Sequence, residues 1–460
     1  MNTLSTTKRD FLKAGGVAML SAAAGGLLSA CSDSAAQSAS IWSSSIQPAV
    51  SATTANGALV QGFCAPAFRP VFDTFVENFS ARGEIGGSVA LTHKGVPVLE
   101  AWGGFSDALS AKPSTPWQRN TVSLVFSCTK GATALCAHIL AARGMLDLDA
   151  SVAKYWPEFA ANGKQAITVR MLLDHSAGLP ALRTPVAAKG WADWTYMTGL
   201  LAAETPFWEP GSAHGYHALT YGWLVGEVVR RVSGVSLGTY FAREVATPLG
   251  LDFWIGLPAS VEPRVAPMLP STEVLPTDAF TVKAVTDPAS LQALIYNAGD
   301  WLAGGGFNSA PGHLAEIPAA GGITNAQGLA AMYLPLANGG KSGALQLLPP
   351  DYTARLSAIQ TAGHVDRVLL AGTRIGLGFM GSIDNRVVGP NLSLLVGLGA
   401  FGHSGFGGSF GFADPQASLS FGYSMNRMGP GAALNERGQK LVDSTYLALG
   451  HTSSKYGFWI

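Results

Sequence analysis

Charge is what this sequence is short of. Only 13% of its 460 residues are charged, and 29 basic side chains offset 29 acidic ones. No basic cluster or run of like charges appears, so the electrostatic footprint that a nucleic-acid partner needs is missing. Cysteine is scarce too. Cys31, Cys64, Cys128 and Cys136 show no C-x-x-C and no disulfide-framework spacing. Cys128 and Cys136 stand eight residues apart, about two helical turns, too far for a mutual bridge, and read as buried free thiols. No apolar run has the length and strength of a membrane span, and no internal repeat is found. In plenty are apolar residues, 48%, and glycines, 56. They supply a large core broken by many turns, with length enough for two to three domains.

The first thirty residues read as an export leader. Thr7-Lys-Arg-Asp-Phe-Leu-Lys13 resembles a twin-arginine motif, with Lys8 where the first arginine would stand. An Ala/Gly-rich apolar stretch follows, and Leu28-Ser-Ala-Cys31 resembles a bacterial lipobox. That order predicts a protein exported to the periplasm or cell surface and anchored to a bacterial membrane through lipidated Cys31. The alternative is a plain signal peptide in which Cys31 is incidental. Residues 31–60, rich in Ser, Ala and Thr, read as a flexible tether. The working domain is expected over 61–450, with a mostly helical insert at about 150–340.

Periodicity fills in that domain. Phe68, Val71, Phe72, Phe75 and Phe79 fall at helical spacing. Gly87–His93 and Val96–Trp102 flank Lys94-Gly95 as a β-hairpin. Helices are expected at 221–232, 325–338 and 438–449, and short strands between glycine turns over 376–428. The irregular run from Trp254 to Ala319 could border a pocket. Strands near both ends with helices between predict an α+β fold, one antiparallel sheet built from both chain ends and flanked by helices.

Chemistry enters at Leu124-Val-Phe-Ser-Cys-Thr-Lys130. Ser127 and Lys130, three residues apart, share one helix face. Serine is a weak nucleophile until a neighbour takes its proton, and a lysine held there can do that. Ser5/Lys8 and Ser151/Lys154 have the same spacing, but one pair lies in the leader and the other at an exposed helix start. Two further stretches complete the set. Tyr216 lies between Pro210-Gly211 and a helix. A phenol beside a lysine ammonium has its phenolate favoured, so Tyr216 reads as a general base. Gly402-His-Ser-Gly405 reads as a strand that would bring the backbone N–H of Phe406 beside Ser127. The N–H groups of Ser127 and Phe406 would then form an oxyanion hole.

With those residues in place, about 65–449 resembles the serine β-lactamase and penicillin-binding superfamily, and within it the class C-like family VIII carboxylesterases. The resemblance rests on Val125-Phe-Ser-Cys-Thr-Lys-Gly131, Ile167–Leu173 with Ser176-Ala-Gly-Leu-Pro180, Pro210-Gly211, Tyr216, Gly402–Gly405 and Phe412-Ala-Asp-Pro415. It implies a β-lactamase/transpeptidase-like fold, Ser127 as nucleophile, Lys130 as activator, Tyr216 as acid/base, and His403, Ser404 and Gly405 along the substrate. It calls for neither cofactor nor metal. Three departures point from β-lactams toward small uncharged esters. Ala218 replaces the asparagine of Tyr-x-Asn, His403 replaces the lysine of Lys-Thr-Gly, and the Glu-x-x-Leu-Asn of class A enzymes is missing.

Other nucleophiles compete. Gly234-Val-Ser236-Leu-Gly238 and Gly407-Gly-Ser409-Phe-Gly411 match G-x-S-x-G, which needs a strand before the serine and a helix after it. Neither context fits. His175, before a glycine-proline turn, reads as structural. Three functions follow in order: a short-chain carboxylesterase acting through an acyl-enzyme, a β-lactamase or DD-peptidase of the same fold, and an inactive lipid-anchored binding protein.

Overall fold

Glycine and aromatic positions on two central strands organise the core. The computed structural model describes residues 41–460 apart from 45–46, 111, 272–278, 303, 390, 432 and 454–456. The leader, with Cys31, lies outside the described residues. From the N-terminal side come β1 (Ala49–Thr53), β2 (Leu59–Cys64), β3 (Gly86–His93) and β4 (Val96–Gly104). A small sheet is built from β5 (Val122–Leu124), β6 (Phe253–Ile255), β7 (Val265–Ala266) and β8 (Gly322–Thr324). A hairpin of β9 (Lys341–Ser342) and β10 (Leu345–Gln346) follows. The C-terminal side gives β11 (Thr361–Gly363), β12 (Thr373–Ile375), β13 (Met380–Gly381), β14 (Phe401–Ser404), β15 (Phe410–Asp414) and β16 (Leu419–Met425).

The main sheet runs β1-β2-β4-β3-β16-β15-β14-β13-β12-β11. Its pairs are antiparallel, as expected of strands from both chain ends. The ends meet where β3 pairs β16, from His93↔Leu419 to Gly87↔Met425. In β15 and β16, Gly411 pairs with Gly422. A Cβ at Gly422 would come within 2.1 Å of Ala326 O, and one at Gly411 within 2.7 Å of the Tyr333 ring. The missing side chains let the helix Ala326–Ala337 lie close against that face. Side chains alternate across a strand, so Phe412 and Phe421 point the other way. They stack with ring centres 5.2 Å apart, and Phe412 stacks on Tyr446 of the C-terminal helix Glu436–Ala448. The helix Arg69–Ala81 packs on that C-terminal helix, so helices cover both faces.

One expectation needs correction. Residues 31–60 are not a tether throughout: Trp42 is buried, and β1 forms five pairs with β2. One face of this edge strand is exposed and the other is half-buried through Val50 and Ala52 alone, so its five residues look like linker. The main sheet is built from both chain ends as expected; the four-stranded sheet and the β9–β10 hairpin beside it have strands of two or three residues, mostly too short to carry a period. The helices expected at 221–232, 325–338 and 438–449 form at Thr220–Ser233, Ala326–Ala337 and Glu436–Ala448.

Candidate active site

Ser127 sits on a sharp strand-to-helix turn. β5 ends at Leu124, Phe126 takes φ +42°, and the helix Thr129–Ala142 begins two residues after the serine. A bulky residue in the left-handed region costs on the order of 1–3 kcal/mol and is kept only where surroundings enforce it. Here the Phe126 ring is edge-on to Trp301, Phe307 and Phe406, with ring centres 6.2, 5.4 and 5.9 Å away. The helix is pinned to the 318–322 segment. Thr133 Oγ1 donates to Pro318 O at 2.6 Å, and Gly322 N–H donates to Thr129 Oγ1 at 2.8 Å.

Lys130 follows one turn on, fully buried. Its Nζ lies 3.2 Å from Ser127 Oγ and donates to Ala218 O at 2.7 Å and Ala319 O at 3.0 Å. Burial holds its pKa well below the usual lysine value. A neutral amine has two N–H groups and one lone pair. The two carbonyls anchor Nζ, and in the neutral form its lone pair is free to take the Ser127 proton.

Tyr216 stands in the loop before Thr220–Ser233. Its phenol is 3.4 Å from His403 Nε2, and its ring centre is 4.7 Å from Lys130 Nζ. Burial raises its pKa, and the hydrogen bond with Ser127 offsets only part of that. The expected phenolate is therefore corrected. Desolvation dominates, and Tyr216 rests as a phenol. Sequence cannot weigh those opposing effects without burial. His403 is held neutral, its pKa down to about 3, by burial and then by Lys130.

β14 carries His403 and Ser404 to the same place. A Cβ on Gly405 would meet Val125 O at 2.2 Å, so only glycine lets this strand end close on the serine turn. Among the described residues no hydrogen bond takes up the N–H of Ser127 or of Phe406. A cleft of about 750 Å³, its open mouth counted, is lined by Ser127, Tyr216, His403, Ser404 and Phe406; Gly405 is not among its lining. Its apolar walls include Phe280, Ile295, Trp301 and Leu302, from the irregular run expected to border a pocket, and Leu369 and Met380. None of its described lining residues is charged.

The competitors sit elsewhere. Ser236 caps the short helix Leu237–Phe241, accepting from Thr239 N–H, and its Oγ donates to Glu316 at 2.6 Å. Ser151 caps a 3₁₀ turn. Ser409 is buried just before β15. His175 is a structural support, as expected: its Nδ1 accepts from His217 N–H at 3.0 Å, and its ring packs on Tyr216 at 5.0 Å. Cys64, Cys128 and Cys136 are free and buried. No metal-holding cluster occurs among the described residues, and no described helix is long and apolar enough to cross a membrane.

Sequence reasoning missed Asp366. Its buried Oδ1 accepts from the backbone N–H groups of Tyr216 at 3.0 Å, Val368 at 2.8 Å and Leu369 at 2.9 Å. It fixes both the tyrosine and the Leu369 wall. A lone aspartate 150 residues away gives no sequence signal for that.

A serine on a strained turn, a buried amine one helical turn later and a phenol beside them mark a serine-hydrolase-type fold. The chain belongs to the β-lactamase family, whose profile matches residues 72–444. It is 35% identical to the Mycobacterium tuberculosis protein "Esterase/beta-lactamase LipL", over 81% of this chain and 84% of that one. Among solved structures, a family VIII carboxylesterase is 39% identical with a TM-score of 0.72, covering 85% of this chain and 99% of the other. A penicillin-binding protein homologue from Caulobacter crescentus is 36% identical with a TM-score of 0.75, at the same coverage. The resemblance read from the motifs therefore holds, and the fold is the expected one.

Proposed function

We propose that this protein is a serine carboxylesterase that cleaves short-chain, uncharged esters through an acyl-enzyme on Ser127. The observation that carries this reading is the cleft: the described residues around Ser127 form apolar walls with no cation to meet a carboxylate. Names of relatives, an esterase/β-lactamase and a family VIII carboxylesterase, support it.

Ser127 Oγ attacks the ester carbonyl carbon and passes its proton to the neutral amine of Lys130. The oxyanion is met by the N–H groups of Ser127 and Phe406, donors that need no reorganisation. As the adduct collapses, Tyr216 gives its proton to the departing alcohol. The new phenolate then stands beside the new ammonium. In the second half, water gives a proton to Tyr216 and attacks the acyl carbon. Ser127 departs with the proton from Lys130, and both side chains regain their starting forms.

The test is kcat/KM for a nitrophenyl butyrate and a chromogenic cephalosporin on one preparation. The ester value should be far the higher. A cephalosporin value equal to it or above would make the protein a β-lactamase. Our reading includes a lipid anchor on Cys31, motivated by Leu28-Ser-Ala-Cys31. Mass spectrometry of the mature N-terminus should find acylated Cys31; a soluble product starting elsewhere would refute the anchor.

A further inference from the structure

Behind one wall of the cleft lies a second cavity, of about 20 Å³. The two share Leu219, Ile295 and Trp301. That volume suffices for one small group. Leu182, Met197 and Ala298 are among the residues that enclose the far side. The hydroxyl of Thr220, which also faces it, is already bonded to Leu179 O at 2.7 Å. None of its described lining residues is charged.

The partition is held in an unusual way. Trp301 is 1% exposed, yet its indole N–H has no acceptor among the described residues. Its ring is kept by packing, edge-on to Phe126 and to Phe307 at 6.1 Å. A ring without a buried hydrogen bond shifts without leaving a polar partner orphaned. Ile295, on the helix Leu291–Tyr296, forms the rest of the partition with Leu219.

We propose that Trp301 and Ile295 set the chain length of the ester this enzyme accepts, and that the rear cavity is the start of a subsite for an aliphatic chain. The inference rests on the esterase reading. A short chain fills the cleft up to the partition. A longer one must displace Trp301 or Ile295, and the apolar cavity behind rewards it with one more buried group. The chain could belong to the acyl or the alcohol half of the ester, and the chemistry of the subsite is the same for both.

Two ester series tell the halves apart: nitrophenyl acetate, butyrate and octanoate, and the acetates of ethanol, butanol and octanol followed by acid release. Each is measured on the full chain, on Trp301→Ala and on Ile295→Ala. A methylene or two in an apolar pocket is worth about tenfold or more in kcat/KM. In one series, both variants should raise the octyl-to-acetyl ratio, or the octyl-to-ethyl ratio, by at least that factor. Adding Ala298→Phe to either variant fills the cavity from behind and should take the gain away. Ile295→Ala leaves the Phe126 packing alone, so it keeps the test readable if Trp301→Ala disturbs the serine turn. Ratios unchanged in both series, with short esters still cleaved by the wild type, would overturn the subsite and leave the esterase standing. A wild type that cleaves no ester in either series would overturn both.

Discussion

The Tyr216 phenol donates to His403 Nε2 across 3.4 Å, and the direction is fixed from the other side of the ring. His403 Nδ1 lies 2.7 Å from Ser404 O, and a carbonyl only accepts, so the ring proton is on Nδ1. Nε2 is left with its lone pair toward Tyr216. His403 thus orients a neutral phenol and brings no positive charge.

Ser127→Ala should abolish ester hydrolysis and labelling by a fluorophosphonate. Ser236→Ala and Ser409→Ala should keep both, the first losing about 1 kcal/mol of stability with its cap. Near-wild-type turnover in Ser127→Ala would refute the proposed nucleophile.

Tyr216→Phe keeps the ring and removes the proton. A loss of about 10²–10⁴ in kcat is expected, since that is the usual worth of general acid–base help. A change of only a few-fold in purified protein would leave Lys130 as the sole proton carrier.

The pH profile follows from Lys130. Its base form is the active one, and burial moves its pKa well below the usual lysine value. Activity should therefore be full above that lowered pKa and fall as pH drops through it. His403 adds no limb near neutrality, because it stays unprotonated down to about 3. A kcat/KM profile that rises only in the ordinary lysine range would contradict a neutral Lys130.

Asp366→Ala orphans three backbone N–H groups, two of them buried, and should cost about 3 kcal/mol or more of stability in urea melts. Asp366→Asn keeps an acceptor oxygen and should cost much less. Equal losses would mean that the charge matters and the hydrogen bonds do not.

The α+β class, the hairpin β3–β4, the long helices and the Ser127, Lys130, Tyr216 and His403 stretches were legible, because periodicity and spacing are local. Protonation states were not. Tyr216 and Lys130 owe theirs to desolvation, which depends on residues from the whole chain. β1 hid because its inner face is only Val50 and Ala52, too short an alternation to stand out among Ser, Ala and Thr. Ala218 O and Ala319 O hid because a carbonyl leaves no mark on the side-chain sequence. Asp366 hid because its partners are backbone groups.

The seam between β3 and β16 bears on synthesis. Ser88 and Ser424 bond across it at 2.9 Å, 336 residues apart. Such distant pairing forms slowly and late. A ribosome must deliver almost the entire chain before β16 can dock, and β14, with His403, reaches the serine turn through that docking. A nascent chain therefore carries Ser127 and Lys130 before His403 and the Phe406 N–H reach them, and the site stays incomplete until the last strands arrive.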